Sequence, residues 1–185
     1  LIRLTLRFEE EYKKVKEEKI LIDFNDLEHM ALKILVQKDG DTVQPSLVAQ
    51  ELSEYYEEIL VDEYQDSNLV QETIINSISR ERIGHPNVFM VGDVKQSIYK
   101  FRLARPELFM GKYDTYTTED SLYQKIDLHK NFRSRKLVLD GINYICEQIM
   151  TKKLGNIEYD EDAALYAGAT FPETDEIISE DTELL

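Results

Sequence analysis

Residues 59–66 read Ile-Leu-Val-Asp-Glu-Tyr-Gln-Asp, and this stretch is the strongest indication of the fold. Three apolar residues followed at once by carboxylates are typical of a buried parallel strand that ends at a functional site. A second apolar run, Asn87–Val91, predicts another such strand, and helical patterns lie between and around the two. Alternating strands and helices predict an α/β fold with a parallel sheet flanked by helices.

The helices are predicted from apolar residues that recur every three or four positions. They cover Leu4–Val15, Asp26–Gln37, Ser46–Glu57, Val70–Ile78, a stretch opened by Pro106, and Ser134–Ile149. The last helix is expected to bury one apolar face formed by Val138, Ile142, Ile145 and Ile149.

Caps and loops are predicted from residues that hydrogen-bond to the backbone or break a helix. The expected helix caps are Asn25 or Asp26, Asp66 or Ser67, and Ser134. Gly40 and Pro45 predict a loop, and a further strand is expected near Tyr123–Leu128. The residues after Gly155 are weakly patterned and are expected to be irregular or partly disordered.

The length of 185 residues and the apolar content of 42% suit one folded domain, or one with part of a neighbour. No apolar run approaches the roughly 18 residues that predict a membrane span, and the first twenty residues do not form a secretory signal. We therefore expect a cytoplasmic protein with no membrane contact. The single cysteine, Cys146, lies in an apolar helical pattern and is expected to be a core thiol.

The net charge of −15 is unevenly distributed along the chain. Residues 156–185 contain ten acidic side chains and no Lys or Arg, whereas residues 95–136 contain ten Lys or Arg against five Asp or Glu. The acidic total therefore does not exclude nucleic-acid binding by the basic middle segment. Charge alone also fits an ordinary solvated surface there.

Asp62 and Glu63 form the first candidate site, because carboxylates at the end of a strand can reach a phosphate-bound magnesium ion and an attacking water together. Asp62 is the expected Mg²⁺ ligand, usually through water, and Glu63 the group that orients or deprotonates the water. Taken alone, this pattern is also common in loops with exposed acids.

Residues 88–102, Val-Phe-Met-Val-Gly-Asp-Val-Lys-Gln-Ser-Ile-Tyr-Lys-Phe-Arg, form the second candidate segment. Gln96 offers an amide that can sense a γ-phosphate or its water. The aromatic rings and cations expected to contact single-stranded DNA are Tyr99, Lys100, Phe101 and Arg102. Both aromatics would also fit a core location if the stretch stood alone.

Residues 128–135, Leu-His-Lys-Asn-Phe-Arg-Ser-Arg, form the third segment. Arg133 is a candidate arginine finger, because an arginine just after a strand can offset charge on a transferring phosphoryl group.

In this order and spacing, the segments resemble motifs II, III and IV of the UvrD/Rep/PcrA class of superfamily 1 DNA helicases. The similarity is closer to AddA (RexA) subunits of bacterial AddAB helicase-nucleases, through residues 22–27, 96–104, 130–135 and 159–165. The resemblance covers nearly the whole chain and implies part of a RecA-like P-loop NTPase core. Phe101 stands where many relatives carry Trp. Leu103 replaces the glycine of the usual Arg-Gly-Ala, a departure that follows the AddA wording.

The resemblance implies a role for each matching residue. Asp62 and Glu63 would be the magnesium and catalytic carboxylates, and Gln96 would contact the γ-phosphate or its water. Phe132 would stack on adenine, and Arg133 would be the arginine finger. The residues that would couple the nucleotide state to the DNA contacts are Gln65, Asp66 and Asp93. The implied cofactors are ATP and Mg²⁺.

The resemblance also divides the chain into four parts. Residues 1–58 would be a helical segment leading into a first RecA-like lobe, and residues 59–120 the C-terminal part of that lobe with motifs II and III. Residues 121–155 would begin the second lobe with motif IV, and residues 156–185 would be an acidic irregular tail.

None of the seven glycines opens a Gly-Lys-Thr or Gly-Lys-Ser phosphate loop. The resemblance places this loop upstream and a nuclease domain downstream, so negligible ATPase activity is expected of this chain alone. The intact protein would translocate on single-stranded DNA and unwind duplex ends for recombinational repair of double-strand breaks. Its implied partner is an AddB (RexB) subunit.

Two other functions remain open from the sequence. One is a metal-dependent nuclease or phosphohydrolase in which Asp62, Glu63, Asp66 and Asp93 bind two metals directly. The other is a non-catalytic domain whose acidic surface binds a protein partner. The nuclease would cleave without ATP, and the interaction domain would respond to neither ATP nor DNA.

Overall fold

The computed structural model describes residues 1–40, 42–99, 103–154 and 157–172. Its helices are α1 (Ile2–Lys19), α2 (Phe24–Leu35), α3 (Leu47–Tyr55), α4 (Leu69–Ile78), α5 (Pro106–Thr115) and α6 (Lys136–Ile149). Its strands are β1 (Val36–Asp39), β2 (Thr42–Pro45), β3 (Ile59–Val61), β4 (Val88–Met90), β5 (Lys130–Asn131) and β6 (Tyr166–Ala167). Helices with small parallel sheets confirm the predicted α/β class in its coarser form.

The chain divides into two compact units, the first comprising Leu1–Gly92 with Tyr99–Arg105 and the second Asp93–Ile98 with Pro106–Leu185. None of the helices within the described ranges combines the length and apolarity needed to cross a membrane. The four-part division predicted from the sequence stays a prediction.

In the first unit, β3 and β4 pair in parallel with Leu60 opposite Phe89, which confirms both predicted strands. They are not buried on both faces as predicted, because Leu60 is 70% exposed and Phe89 56%. Side chains alternate between the faces of a sheet, so these two residues share one open face while Ile59 and Val61 are half-buried on the other. The parallel register places both carboxyl ends at one edge of the pair.

The helix caps of the first unit differ from those predicted. Asp23, not Asn25 or Asp26, caps α2, and its side chain accepts a hydrogen bond from the backbone of Asp26. Asn68, not Asp66 or Ser67, caps α4. Several neighbouring residues could cap each helix, and the turn at Tyr64–Asp66 moves the start of α4 further along the chain.

A β-hairpin occupies the region predicted as the end of α2 and a loop. β1 and β2 pair antiparallel over Val36–Asp39 and Thr42–Pro45. Gly40 adopts a left-handed backbone with φ of 62°, which suits a tight turn. The predicted helix through Gln37 is therefore wrong at its last two residues. The helix predicted from Ser46 is present as α3, and the Ser46 side chain caps it.

In the second unit, α6 buries a face other than the one predicted. Leu139 is only 1% exposed, whereas Val138, Ile142 and Ile149 are exposed. Asn143 lies on the inner face, where its side-chain amide donates to the Leu165 carbonyl at 2.9 Å. Because Asn143 is polar, the spacing of apolar residues did not predict this face of α6.

Other predictions for the second unit also need correction. The stretch Tyr123–Leu128 contains no strand, apart from an isolated bridge between Thr117 and Gln124. Ser134 does not cap α6, because Arg135 occupies the cap position without a side-chain hydrogen bond. Among residues 157–172, the tail contains one two-residue strand, β6, which was not predicted and which pairs in parallel with β5. Cys146 is half-buried rather than deep in a core.

Candidate active site

Asp62 and Glu63 directly follow β3, and the backbone at Glu63 adopts an unusual conformation. Its φ of 50° and ψ of 40° lie in the left-handed region, which disfavours residues other than glycine. The conformation is held by a hydrogen bond from the Tyr64 N–H to the Val91 carbonyl at 2.9 Å and one from the Glu63 N–H to Asp62 Oδ1 at 2.9 Å. Backbone strain of this kind is concentrated at functional sites.

The turn after Glu63 is anchored by two buried side chains. Tyr64 is fully buried, and its hydroxyl donates to the carboxylate of Glu72 on α4. Gln65 is also buried, and its Nε2 donates to Glu63 Oε2 at 2.7 Å. The carboxylates of Asp62 and Glu63 stay exposed above this anchor. The arrangement fixes the position of Glu63 while leaving it accessible to a ligand.

The acidic residues border an open cavity of about 420 Å³ in the first unit. Its lining residues include Asp62, Glu63, Asp66, Ser67 and Gln71. This volume lies in the range of small-ligand sites, about 300–1,000 Å³. Carboxylate oxygens facing such a space are ligands that Mg²⁺ accepts, usually with water and phosphate oxygens completing the set. Asp62 and Glu63 are therefore residues of this cavity that could hold one Mg²⁺.

A directly ligated two-metal centre finds less support. Within the residues that the structure describes, no three His, Cys, Asp or Glu side chains are grouped so that they could hold a metal ion.

Asp66 has one oxygen, Oδ1, that is enclosed and has no hydrogen-bond partner among the described residues. Burial, with a smaller contribution from the charge of Glu63, raises the pKa of Asp66 above its ordinary value of 3.8. The protonated form of Asp66 is favoured in the folded state. Its contribution to the free energy of unfolding is therefore complete below pH 3.8 and is lost as the pH rises through the raised pKa.

We expect Asp66→Asn to remove this pH-dependent loss of stability. Urea unfolding at pH values from about 3 to 7 should show a smaller decline in the variant, and an equal decline would contradict a desolvated charge at Asp66.

In the second unit, Asp93 organises the segment that contains Gln96. Asp93 Oδ1 accepts from the Lys95 N–H at 3.0 Å, and the ammonium of Lys95 lies 3.1 Å from the same oxygen. Gln96 Nε2 donates to Asp93 Oδ2 at 3.1 Å. Asp93 thus orients the Gln96 amide, and the placement of both beside Asp62 and Glu63 stays a prediction.

Only part of the predicted DNA-contact segment can be described. Tyr99 is 37% exposed, whereas Lys100, Phe101 and Arg102 lie outside the described residues. Leu103 follows with a left-handed φ of 66° and is 79% exposed. Glycine adopts such a backbone without strain, whereas leucine does not.

We expect Leu103→Gly to raise the free energy of unfolding by about 0.5–1 kcal/mol. The left-handed backbone costs an L-residue about 1–2 kcal/mol, and the flexibility of glycine in the unfolded chain returns part of that gain. Thermal and urea unfolding would measure the change. Leu103→Ala is the matched control, because it removes the exposed side chain and keeps the strained backbone. Equal stability of the two variants would contradict the strain at residue 103.

Phe132 and Arg133 are presented to solvent by a turn built on Asn131. The Asn131 Oδ1 accepts from the backbone N–H groups of Arg133 and Ser134, both at 2.9 Å. Arg133 is exposed, and its guanidinium makes no hydrogen bond or ion pair within the described part of the chain. An exposed guanidinium on a fixed backbone is available to a phosphoryl group.

The structure adds residues that the sequence argument did not select. Gln71 lines the cavity, and its Nε2 donates to Glu28 Oε1 on α2 at 2.7 Å. The Asn68–Gln71 spacing of a capping box was a signal that could have indicated Gln71. Asn131 could have been recognised as a turn residue, because asparagine side chains often accept hydrogen bonds from the backbone about two residues further along the chain.

The amino-acid sequence matches a known helicase family. The model of the UvrD/REP helicase N-terminal domain matches residues 3–117, and the chain belongs to this family. Within it, the chain is 60% identical over 173 residues to the AddA subunit of the ATP-dependent helicase/nuclease of Lachnoclostridium phytofermentans, covering 94% of this chain and 13% of that protein.

Other relatives with the same name show similar agreement. The protein of Clostridium beijerinckii is 53% identical over 174 residues, covering 94% of this chain and 14% of its own. That of Ruminiclostridium cellulolyticum is 57% identical over 171 residues, covering 91% and 14%. The predicted resemblance to AddA-type subunits is thereby confirmed. The chain spans 13–14% of the length of these curated relatives.

Proposed function

We propose that this chain is the part of an ATP-dependent helicase/nuclease subunit that contributes the magnesium and water-activating carboxylates of its motor. The observation that supports this most is the pair Asp62 and Glu63, held exposed at the end of β3 beside a cavity. The whole protein would be cytoplasmic and would use ATP to move along single-stranded DNA. By unwinding duplex ends it would prepare double-strand breaks for recombinational repair.

In this proposal each residue of the site has one task. Asp62 would hold Mg²⁺, usually through water, and Glu63 would orient the attacking water or accept its proton. When bound, Mg²⁺ would offset negative charge on the phosphates. Gln96 contacts the γ-phosphate or its water, Phe132 stacks on the adenine, and Arg133 offsets charge that develops during transfer.

The proposal extends to a RecA-like core and to DNA. Gln65, Asp66 and Asp93 would transmit the nucleotide state, since Gln65 contacts Glu63 directly and Asp93 holds Gln96. Tyr99, Lys100, Phe101 and Arg102 would line the single-strand track. The relatives are named as subunits, which supports a protein partner, and we propose one of the AddB (RexB) type.

The test is strand separation by the full-length protein on a blunt-ended duplex. We expect separation with Mg-ATP and none with a non-hydrolysable ATP analogue, because hydrolysis drives the motor. Cleavage without any nucleotide and without unwinding would favour the metal-dependent nuclease instead. A protein that responds to neither nucleotide nor DNA would favour the interaction domain. The chain alone is expected to be inactive, since it contains no phosphate loop.

A further inference from the structure

Residues 166–172, here called the tail segment, run alongside residues 129–135, which include Phe132 and Arg133. The Tyr166 N–H donates to the His129 carbonyl at 3.0 Å, and the Gly168 N–H donates to the Asn131 carbonyl at 2.8 Å. At the far end, the Arg135 guanidinium donates to the Pro172 carbonyl at 2.9 Å. The tail segment is thus attached along its length to the turn that presents Phe132.

The start of the tail segment is fixed by Asn143 on α6. Asn143 Nδ2 donates to the Leu165 carbonyl at 2.9 Å, and Asn143 Oδ1 accepts from the Leu165 N–H at 2.9 Å. The same oxygen accepts from the buried Tyr159 hydroxyl at 2.7 Å. These bonds tie the residue before β6 to a helix of the same unit, so Gly168 has a defined position.

Gly168 lies directly against the ring of Phe132. A Cβ atom added at Gly168 would lie 2.7, 2.8 and 2.9 Å from Cε1, Cδ1 and Cζ of that ring. Three such similar distances to adjacent ring atoms place this point over one face of the ring, because at the ring's edge the neighbouring atoms would be distinctly further away. These distances are shorter than real Cβ contacts, so the ring fits there only against a glycine.

The rest of the Phe132 ring is open, since the side chain is 66% exposed. One face is therefore supported by the Gly168 backbone and the other is accessible to a flat partner. We propose that Gly168 is a positioning residue that holds the Phe132 ring in the orientation in which its open face stacks on the adenine of ATP. This inference rests on the proposed function, which assigns adenine stacking to Phe132.

The physical consequence of Gly168→Ala follows from the exposure of the ring. The added methyl group cannot share the space of the ring, and an exposed phenyl moves at lower cost than a hydrogen-bonded backbone. The ring would swing away from its position and lose part of the stacking on the base. Stacking of a base on an aromatic side chain is worth about 5- to 150-fold in affinity, so we expect a loss of roughly tenfold.

The experiment measures KM for ATP and kcat of DNA-stimulated ATP hydrolysis by the full-length protein. The variants are Gly168→Ala, Phe132→Ala and the double variant. Gly111→Ala is the matched control, because a Cβ at Gly111 on α5 meets nothing within 4 Å. We expect Gly168→Ala to raise KM about tenfold with kcat nearly unchanged. In the Phe132→Ala background, Gly168→Ala should have no further effect.

A reduced kcat at unchanged KM, or a KM effect that persists in the Phe132→Ala background, would overturn the role of Gly168. If Phe132→Ala raises KM and Gly168→Ala does not, this inference fails while the proposed function stands. If Phe132→Ala itself leaves KM unchanged, adenine stacking in the proposed function fails and this inference fails with it. If Gly168→Ala alone does not fold, the double variant should fold, since removal of the ring removes the clash.

Discussion

Glu63→Gln in the full-length protein is expected to lower kcat of DNA-stimulated ATP hydrolysis by about 10²- to 10⁴-fold, the usual contribution of a general base. Glutamine keeps the shape of the side chain and an oxygen that can accept the Gln65 amide, which lies 2.7 Å from Glu63 Oε2. It cannot accept a proton from water. The fold and the affinity for nucleotide should therefore be unchanged. Binding of a fluorescent ATP analogue should stay near the wild-type level.

The matched control for this substitution is Glu58→Gln, which changes an exposed acid just before β3. Hydrolysis by that variant should equal the wild-type rate. If Glu63→Gln retained a kcat within about threefold of wild type, Glu63 could not be the group that activates water.

Arg133→Ala is expected to lower kcat by about 10³-fold or more, in the range found for arginine fingers. The guanidinium is exposed and makes no side-chain hydrogen bond within the described ranges, so its removal leaves no buried group unsatisfied. Stability should change little, which separates a catalytic loss from unfolding. Stopped-flow measurement of phosphate release after mixing with ATP would determine the rate.

A second substitution at the same position sharpens this prediction. Arg133→Lys keeps the charge but loses the planar fork of donors, and should recover only a small part of the rate. Lys136→Ala removes a nearby exposed cation that pairs with Asp140, and should keep the wild-type rate. Full activity in Arg133→Ala would show that another group offsets the phosphoryl charge.

The parts of the fold predicted from sequence are those with strong local signals. β3 and β4 each combine apolar residues with a polar end, and both strands are present and parallel. The start of a helix at Ser46 was also predicted, and the structure adds that the Ser46 side chain caps it. The candidate acids Asp62 and Glu63 depend on the same local pattern, which explains why the site could be selected before its geometry was known.

The parts that could not be predicted depend on contacts between distant residues. The inner face of α6 includes Asn143, which is satisfied only by the backbone of Leu165. The support of Phe132 comes from Gly168, which is far along the chain and inside a segment with weak patterning. The exposed faces of Leu60 and Phe89 likewise follow from what packs on the sheet and not from the strand sequence.

The central claim is that Asp62 and Glu63 belong to an ATP-driven motor that engages DNA. The most direct test is the initial rate of Mg-ATP hydrolysis by the full-length wild-type protein, measured with and without single-stranded DNA. We expect DNA to raise the rate at least about tenfold, because a bound strand couples lobe closure to hydrolysis. A rate that is the same with and without DNA, or no hydrolysis in either case, would contradict the motor assignment.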